Sequence, residues 1–223
     1  MKLTHPLINE HIILDDEEKV SILVVENQHF FTELLIDLHN QINKISGKFV
    51  LSEDNKPIDI YKNVEVLSEF ISFEINKRTL LNKLLQKADL IAQNEENYMI
   101  TRQLYSEISQ YAALIANNTS FDIDYLYEYE VSSILKAINF RFKEDYSSIS
   151  EKVIDYMLLV REFVSDKCFV LVNFRSYISD EEINEFYKTI LLNKLKVIII
   201  SGYNHQNSPY EKKTIIDKGL CEF

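Results

Sequence analysis

Two stretches of this 223-residue chain, Cys168-Phe169-Val170-Leu171-Val172 and Val197-Ile198-Ile199-Ile200, carry almost no polar side chain and are short enough to be strands. A strand sends successive side chains to opposite faces, so an unbroken apolar run needs cover on both. Ser179 with Glu182 three positions on has the spacing of a capping box and opens a helix through about Leu192, between the two runs. Ser148 with Glu151 repeats that spacing and opens a helix reaching Val164, before the first run. Helix, strand, helix, strand implies a parallel sheet closed by right-handed crossovers. Near the other end of the chain, Val20–Val25 is a third buried run. It is followed by Asn27 and by Phe30, Phe31, Leu34, Leu35, Leu38 and Ile42 at helical spacing, with Gly47 as the expected stop.

The remaining segments divide the chain. Residues 11–14 and 48–52 read as extended, Asp15-Asp16-Glu17-Glu18 as an acidic turn, and Asp54-Asn55-Lys56-Pro57 as a turn. Residues 64–75 read as a strand or a strand entering a helix. From 77 to 117 two apolar stripes at helical spacing flank the polar break Asn94-Glu95-Glu96-Asn97, predicting a helical hairpin. An acidic, tyrosine-rich segment, 121–130, then leads into a helix through Ala137. The expected organisation is an α/β body, residues 1–62 and 145–223, interrupted by a helical lobe, residues 63–144.

The formal net charge of −11 argues against coating nucleic acid through bulk electrostatics, so any DNA contact needs a local basic patch. Three glycines, Gly47, Gly202 and Gly219, are too few for a glycine-rich phosphate cradle, and there is neither a Walker A motif nor GxGxxG. The five histidines form no HExxH, do not pair with Cys168 or Cys221 at zinc-ligand spacing, and no GxSxG elbow exists, so nucleophilic catalysis is not expected. The unpaired cysteines, an N-terminus without a signal-peptide core and the lack of a bilayer-spanning apolar stretch predict a cytoplasmic protein with no membrane segment.

Two clusters carry potential chemistry. Asp122, Asp124, Glu128 and Glu130 place four carboxylates within nine residues, which suits either oxygen ligands for calcium or a solvated acidic loop. Lys77, Arg78, Lys83 and Lys87, then Lys136, Arg141 and Lys143, are either ordinary surface cations or contacts to phosphates that read no bases.

Cys168-Phe169-Val170-Leu171-Val172-Asn173, then Tyr177-Ile178-Ser179-Asp180-Glu181-Glu182, a helix, and Lys196-Val197-Ile198-Ile199-Ile200 carry a further signal. This order of strand ending in Asn, Tyr-aliphatic-Ser turn, acidic-capped helix and apolar strand resembles the Csn-type CRISPR-associated protein of subtype II-A systems, in its short form. The tail Ile215-Ile216-Asp217-Lys218 is similar to that family's closing Ile-Asp element, and the resemblance runs nearly end to end. It implies an α/β fold whose head is a degenerate P-loop-ATPase-like domain with a parallel-rich sheet, plus an α-helical leg lobe, assembled as a homotetrameric ring. At Val24-Val25-Glu26-Asn27-Gln28-His29, where a P-loop enzyme keeps its glycine-rich turn, there is neither glycine nor Lys-Ser/Thr. The implied function is non-catalytic: sequence-independent, Ca2+-assisted binding of linear double-stranded DNA in spacer acquisition, beside the CRISPR integrase complex and the effector nuclease. On that implication Lys77, Arg78, Lys136, Arg141 and Lys143 face DNA, while Asp122, Asp124, Glu128 and Glu130 hold calcium. A divergent P-loop nucleotide hydrolase and a protein-interaction scaffold without DNA binding are the alternatives.

Overall fold

The computed structural model describes residues 1–14, 17–127 and 129–223, so Asp15 and Asp16 of the expected acidic turn lie outside the described residues. The chain forms β1 (Lys2–His5), β2 (Ile8–Ile13), β3 (Val20–Val25), α1 (Gln28–Ile42), β4 (Val50–Glu53), β5 (Lys56–Ile58), α2 (Ile60–Asn63) and β6 (Val64–Leu67). It continues through α3 (Arg78–Ala92), α4 (Tyr98–Asn117), α5 (Val131–Ala137), α6 (Ile149–Phe163), β7 (Cys168–Val172), α7 (Asp180–Leu192), β8 (Lys196–Ser201) and β9 (Glu211–Ile216). Two compact units result, Met1–Ile75 with Glu144–Phe223, and residues 76–143. Among the described residues no helix is long and apolar enough to cross a membrane.

The first unit is mixed α/β. Its five-stranded sheet has the order β6-β7-β8-β3-β9 and is parallel throughout. The apolar runs behave as their composition demands, since every residue of β3 and of β7 is buried. Leu23, Val25, Cys168, Val170, Val172, Ile198 and Ile200 join one core with Phe30, Leu34 and Leu38 of α1. The alternate residues, Phe169, Leu171, Val197 and Ile199, are buried on the other face, where Tyr156 of α6 packs against Phe169. A second, four-stranded sheet, β2-β1-β4-β5, is antiparallel and closes the first core with Leu3, Ile12 and Leu51.

Several local choices are legible residue by residue. Ser179 and Glu182 form the complete capping box at α7. At α6 only half forms: Ser148 Oγ accepts from Glu151 N at 3.2 Å, but the Glu151 carboxylate takes Ser147 instead, from N at 2.9 Å and Oγ at 2.6 Å. Gly47 does not stop α1. The helix ends at Asn43, and Lys44 takes the left-handed conformation with φ 65°. Gly47 serves a close approach, because a Cβ there would lie 2.5 Å from Gln41 Cγ, whose amide bonds both Phe49 N and Phe49 O. The turn between β4 and β5 narrows to Asp54 and Asn55, both at positive φ, which matches strand twist in a two-residue hairpin.

His5, the last residue of β1, is 4 % exposed, with its ring 4.8 Å from that of Phe49. Its Nδ1 accepts from Leu7 N at 3.3 Å, which leaves the Nε2 proton facing Asp37 Oδ2 at 3.3 Å. Burial holds its pKa below the usual histidine value of 6.5 despite the opposing pull of Asp37. The unfolded chain therefore takes up this proton before the folded one does. Stability from His5 is present above pH 6.5 and is lost as pH falls through the folded-state pKa. We expect the urea midpoint to fall between pH 7 and 5, and His5→Gln to flatten that dependence; an unchanged slope in the variant would remove His5 as its cause.

The second unit is all helical. α3 and α5 pack together, and Asp89 Oδ1 accepts from Ser132 N at 2.7 Å, fixing the start of α5 beside the last turns of α3. At the other end Asn76 Nδ2 donates to Phe142 O and Phe142 N donates to Asn76 Oδ1, both at 3.0 Å. α4 has no buried residue along its length.

Candidate nucleic-acid interface

The paired bonds between Asn76 and Phe142 bring two separate stretches of sequence side by side. Lys77 and Arg78 follow one partner, and Arg141 and Lys143 flank the other. Lys136 lies in the last turn of α5, on the approach to the same end of the unit. Arg78, Lys136, Arg141 and Lys143 are exposed and Lys77 is half-buried. Four of the five basic residues expected to face DNA, Lys77, Arg78, Arg141 and Lys143, thus meet at one end of one unit, and Lys136 lies between that end and the start of α5. Lys83 and Lys87, also exposed, continue along α3 one turn apart.

The start of α3 breaks the ordinary rules of helix electrostatics. Lys77 occupies the N-cap position without a side-chain cap bond, and the first turn holds no acidic residue. The first amides of a helix lack intrahelical acceptors and carry a partial positive charge, so cations there are unfavourable in isolation. Uncapped amides beside Lys77, Arg78, Arg141 and Lys143 are complementary to a phosphate. Residues 76–143 contain eight Lys or Arg and eight Asp or Glu, so this unit is formally neutral and the whole −11 falls on the other unit. Sequence reasoning missed Asn76, whose only signal is its place directly before Lys77 and Arg78.

Among the described residues the acidic candidates form no metal-holding group. Asp122 and Asp124 are exposed, Glu130 occupies the N-cap position of α5 and accepts from Ser132 Oγ at 3.2 Å, and Glu128 lies outside the described residues. Among the described residues no group of three or more His, Cys, Asp or Glu side chains converges to hold a metal ion. The donor set that calcium needs is therefore not formed by the described residues.

In the α/β unit, a cleft of about 670 Å³ opens at the carboxyl ends of β3, β7 and β8, where Glu26, Phe31, Asn173, Tyr203 and Lys218 line it. Ligands of open parallel sheets bind at this edge, where the strand order reverses. Only two residues, Glu26 and Asn27, join β3 to α1. Asn27 Oδ1 accepts from Phe30 N at 3.0 Å, so the helix supplies its own cap where a phosphate would otherwise bind.

The model of the CRISPR-associated protein family Cas_Csn2 matches residues 41–220. Among solved structures the chain is similar to Stu0660 of Streptococcus thermophilus, with a TM-score of 0.55, 15% identity, and coverage of 97% of this chain and 74% of that one. That likeness supports the mixed α/β fold. An alignment with a Pyrococcus furiosus protein assigned as an ABC transporter (ATP-binding protein) has 14% identity, covers 96% of this chain and 97% of that one, and reaches a TM-score of 0.41, which carries no weight for a nucleotide-binding head. The family match spans most of the chain and agrees with the order of buried strands and capped helices read from residues 168–200, so the chain belongs to the Cas_Csn2 family of CRISPR-associated proteins, which act in CRISPR adaptation.

Proposed function

We propose that this protein binds the ends of linear double-stranded DNA without reading sequence, as a closed homotetrameric ring, during spacer acquisition. The observation that carries the reading is the meeting of Lys77, Arg78, Arg141 and Lys143 at the start of α3, with Lys136 on the same unit, which carries none of the net negative charge. Phosphate contacts of this kind position a protein on a duplex but carry no base information. Self-association is supported by α4, whose Ile100, Leu104, Ile108, Tyr111 and Ile115 recur on one stripe of a helix with nothing buried in the single chain. On this reading the protein is not an enzyme. Its β3–α1 turn is short and self-capped, and its sheet-edge cleft is lined by one carboxylate, Glu26, and one ammonium, Lys218, instead of a phosphate-binding lysine cluster. It works in the cytoplasm beside the integrase complex and the effector nuclease.

Calcium assistance is tested in the same assay as DNA binding. The decisive measurement is retention of linear and relaxed circular duplexes of equal length, over a salt series, with calcium or with a chelator. A closed ring loads only at a free end, so capture of the linear form alone is expected, with log K falling linearly against log salt. Equal retention of both forms would sink the ring, and no binding to either would leave a protein scaffold. Unchanged capture in the chelator would remove calcium while leaving DNA-end binding in place.

A further inference from the structure

In the helical unit a pocket of about 540 Å³ lies where α3 ends and α4 begins, lined by Tyr98, Thr101, Arg102, Tyr105, Tyr129 and Glu130 among others. Three tyrosine rings form much of its wall, with Tyr105 and Tyr129 packed edge to face at 4.9 Å between centroids. Three features of this pocket favour positive charge. Ring faces attract cations through their quadrupole. Glu130 places a carboxylate on the wall. The C-terminal end of α3 abuts the pocket through Ala92 and Gln93 and has no basic residue in its last turn, so its partial negative charge is not countered from within the helix.

The protein already uses this chemistry at the wall: the Arg102 guanidinium lies 5.3 Å from the Tyr98 ring centroid, and its Nε donates to Tyr98 Oη at 3.1 Å. The Tyr129 hydroxyl is buried with no hydrogen-bond partner among the described residues, which is uncommon for a buried polar group. Desolvation raises the Tyr105 pKa, with Asp89 and Tyr129 adding to it, as befits a site of reduced polarity where a charge feels its neighbours strongly.

We propose that this pocket is a binding site for an organic cation, an alkylammonium or guanidinium group held against tyrosine faces with Glu130 as its counter-ion. The site is independent of the basic end of the unit: α3, 15 residues long, separates the two by about 22 Å. Glu130, one of the four carboxylates expected to serve calcium, also lines this aromatic pocket.

Calorimetric titration of the full chain with choline, and with its uncharged isostere 3,3-dimethyl-1-butanol, tests the proposal. Choline is expected to bind with one site per chain and the isostere about tenfold more weakly, the difference being the charge. Glu130→Gln is expected to weaken choline about five- to tenfold, and Tyr105→Leu to abolish the heat. Both variants are checked for an unchanged circular dichroism spectrum, and Tyr105→Phe, which keeps the ring, should bind as the parent does. Spermidine and acetyl-arginine amide then distinguish a free polyamine from the side chain of a partner protein. Equal binding of the isostere, or an unchanged affinity in Glu130→Gln, would overturn the proposal.

Discussion

Arg175→Ala is expected to destabilise the α/β unit by about 3 kcal/mol, seen as a lower urea midpoint at neutral pH. The Arg175 side chain is 3 % exposed, and its partners are Gln206, Glu211 and Asp180. One nitrogen donates to Gln206 O at 2.9 Å and faces Glu211 Oε2 at 3.3 Å, and the other donates to Asp180 Oδ1 at 2.9 Å. The Glu211 side chain is 2 % exposed and also accepts from the Tyr187 hydroxyl at 3.3 Å. Removing one partner of a buried pair leaves an uncompensated charge, which is worse than removing both. Lys213 Nζ stays 3.1 Å from Glu211 Oε1, which tempers the loss and keeps it at the lower end of the range for buried pairs. The double variant Arg175→Met, Glu211→Gln should then be less destabilised than the sum of its single changes. Simple additivity would mean that the two side chains do not act as a unit.

The second large effect concerns DNA. Reversing Arg78, Lys136 and Arg141 to glutamate is expected to weaken binding to linear duplex by more than about 100-fold, and to lower the salt slope by roughly one for each phosphate no longer neutralised. All three side chains are exposed, so the thermal midpoint should move little. Reversal of Lys188, Lys194 and Lys212, exposed cations of the other unit, makes a charge-matched control that should leave the slope unchanged. If both triples weaken binding alike, bulk charge governs the interaction and the local patch has no special role.

Much of the fold was legible because burial leaves a plain mark on short strands. Val20–Val25, Cys168–Val172 and residues 197–200 could hardly be anything else, and Ser179 with Glu182 announced its helix one residue ahead. β9 gives no such mark because it opens Glu211-Lys212-Lys213. Its burial rests on Arg175 and Lys213 neutralising Glu211, a partnership between distant positions that no local pattern records. The antiparallel sheet was hidden in part for the same reason, since β1 and β2 mix His5, Asn9 and Glu10 with their apolar residues. At the candidate site, the residue types were legible and their meeting was not. Nothing in the spacing of Lys77 and Arg141 tells that Asn76 bonds Phe142 twice. Convergence of four nearby carboxylates was suggested by spacing alone, and among the described residues no such metal-holding group forms.

The pair of hydrogen bonds between Asn76 and Phe142 also bears on how the chain finds its fold. β6 and β7 are neighbours in register, Val64 opposite Cys168, yet they are separated in sequence by the whole helical insertion. Once the two amides close, the intervening helices drop out of the path that pairing must search. The loop joining the strands shortens to about a third, worth about 1 kcal/mol of closure entropy. Helices of quite different length can then hang from the same knot without slowing the strands that pair outside it.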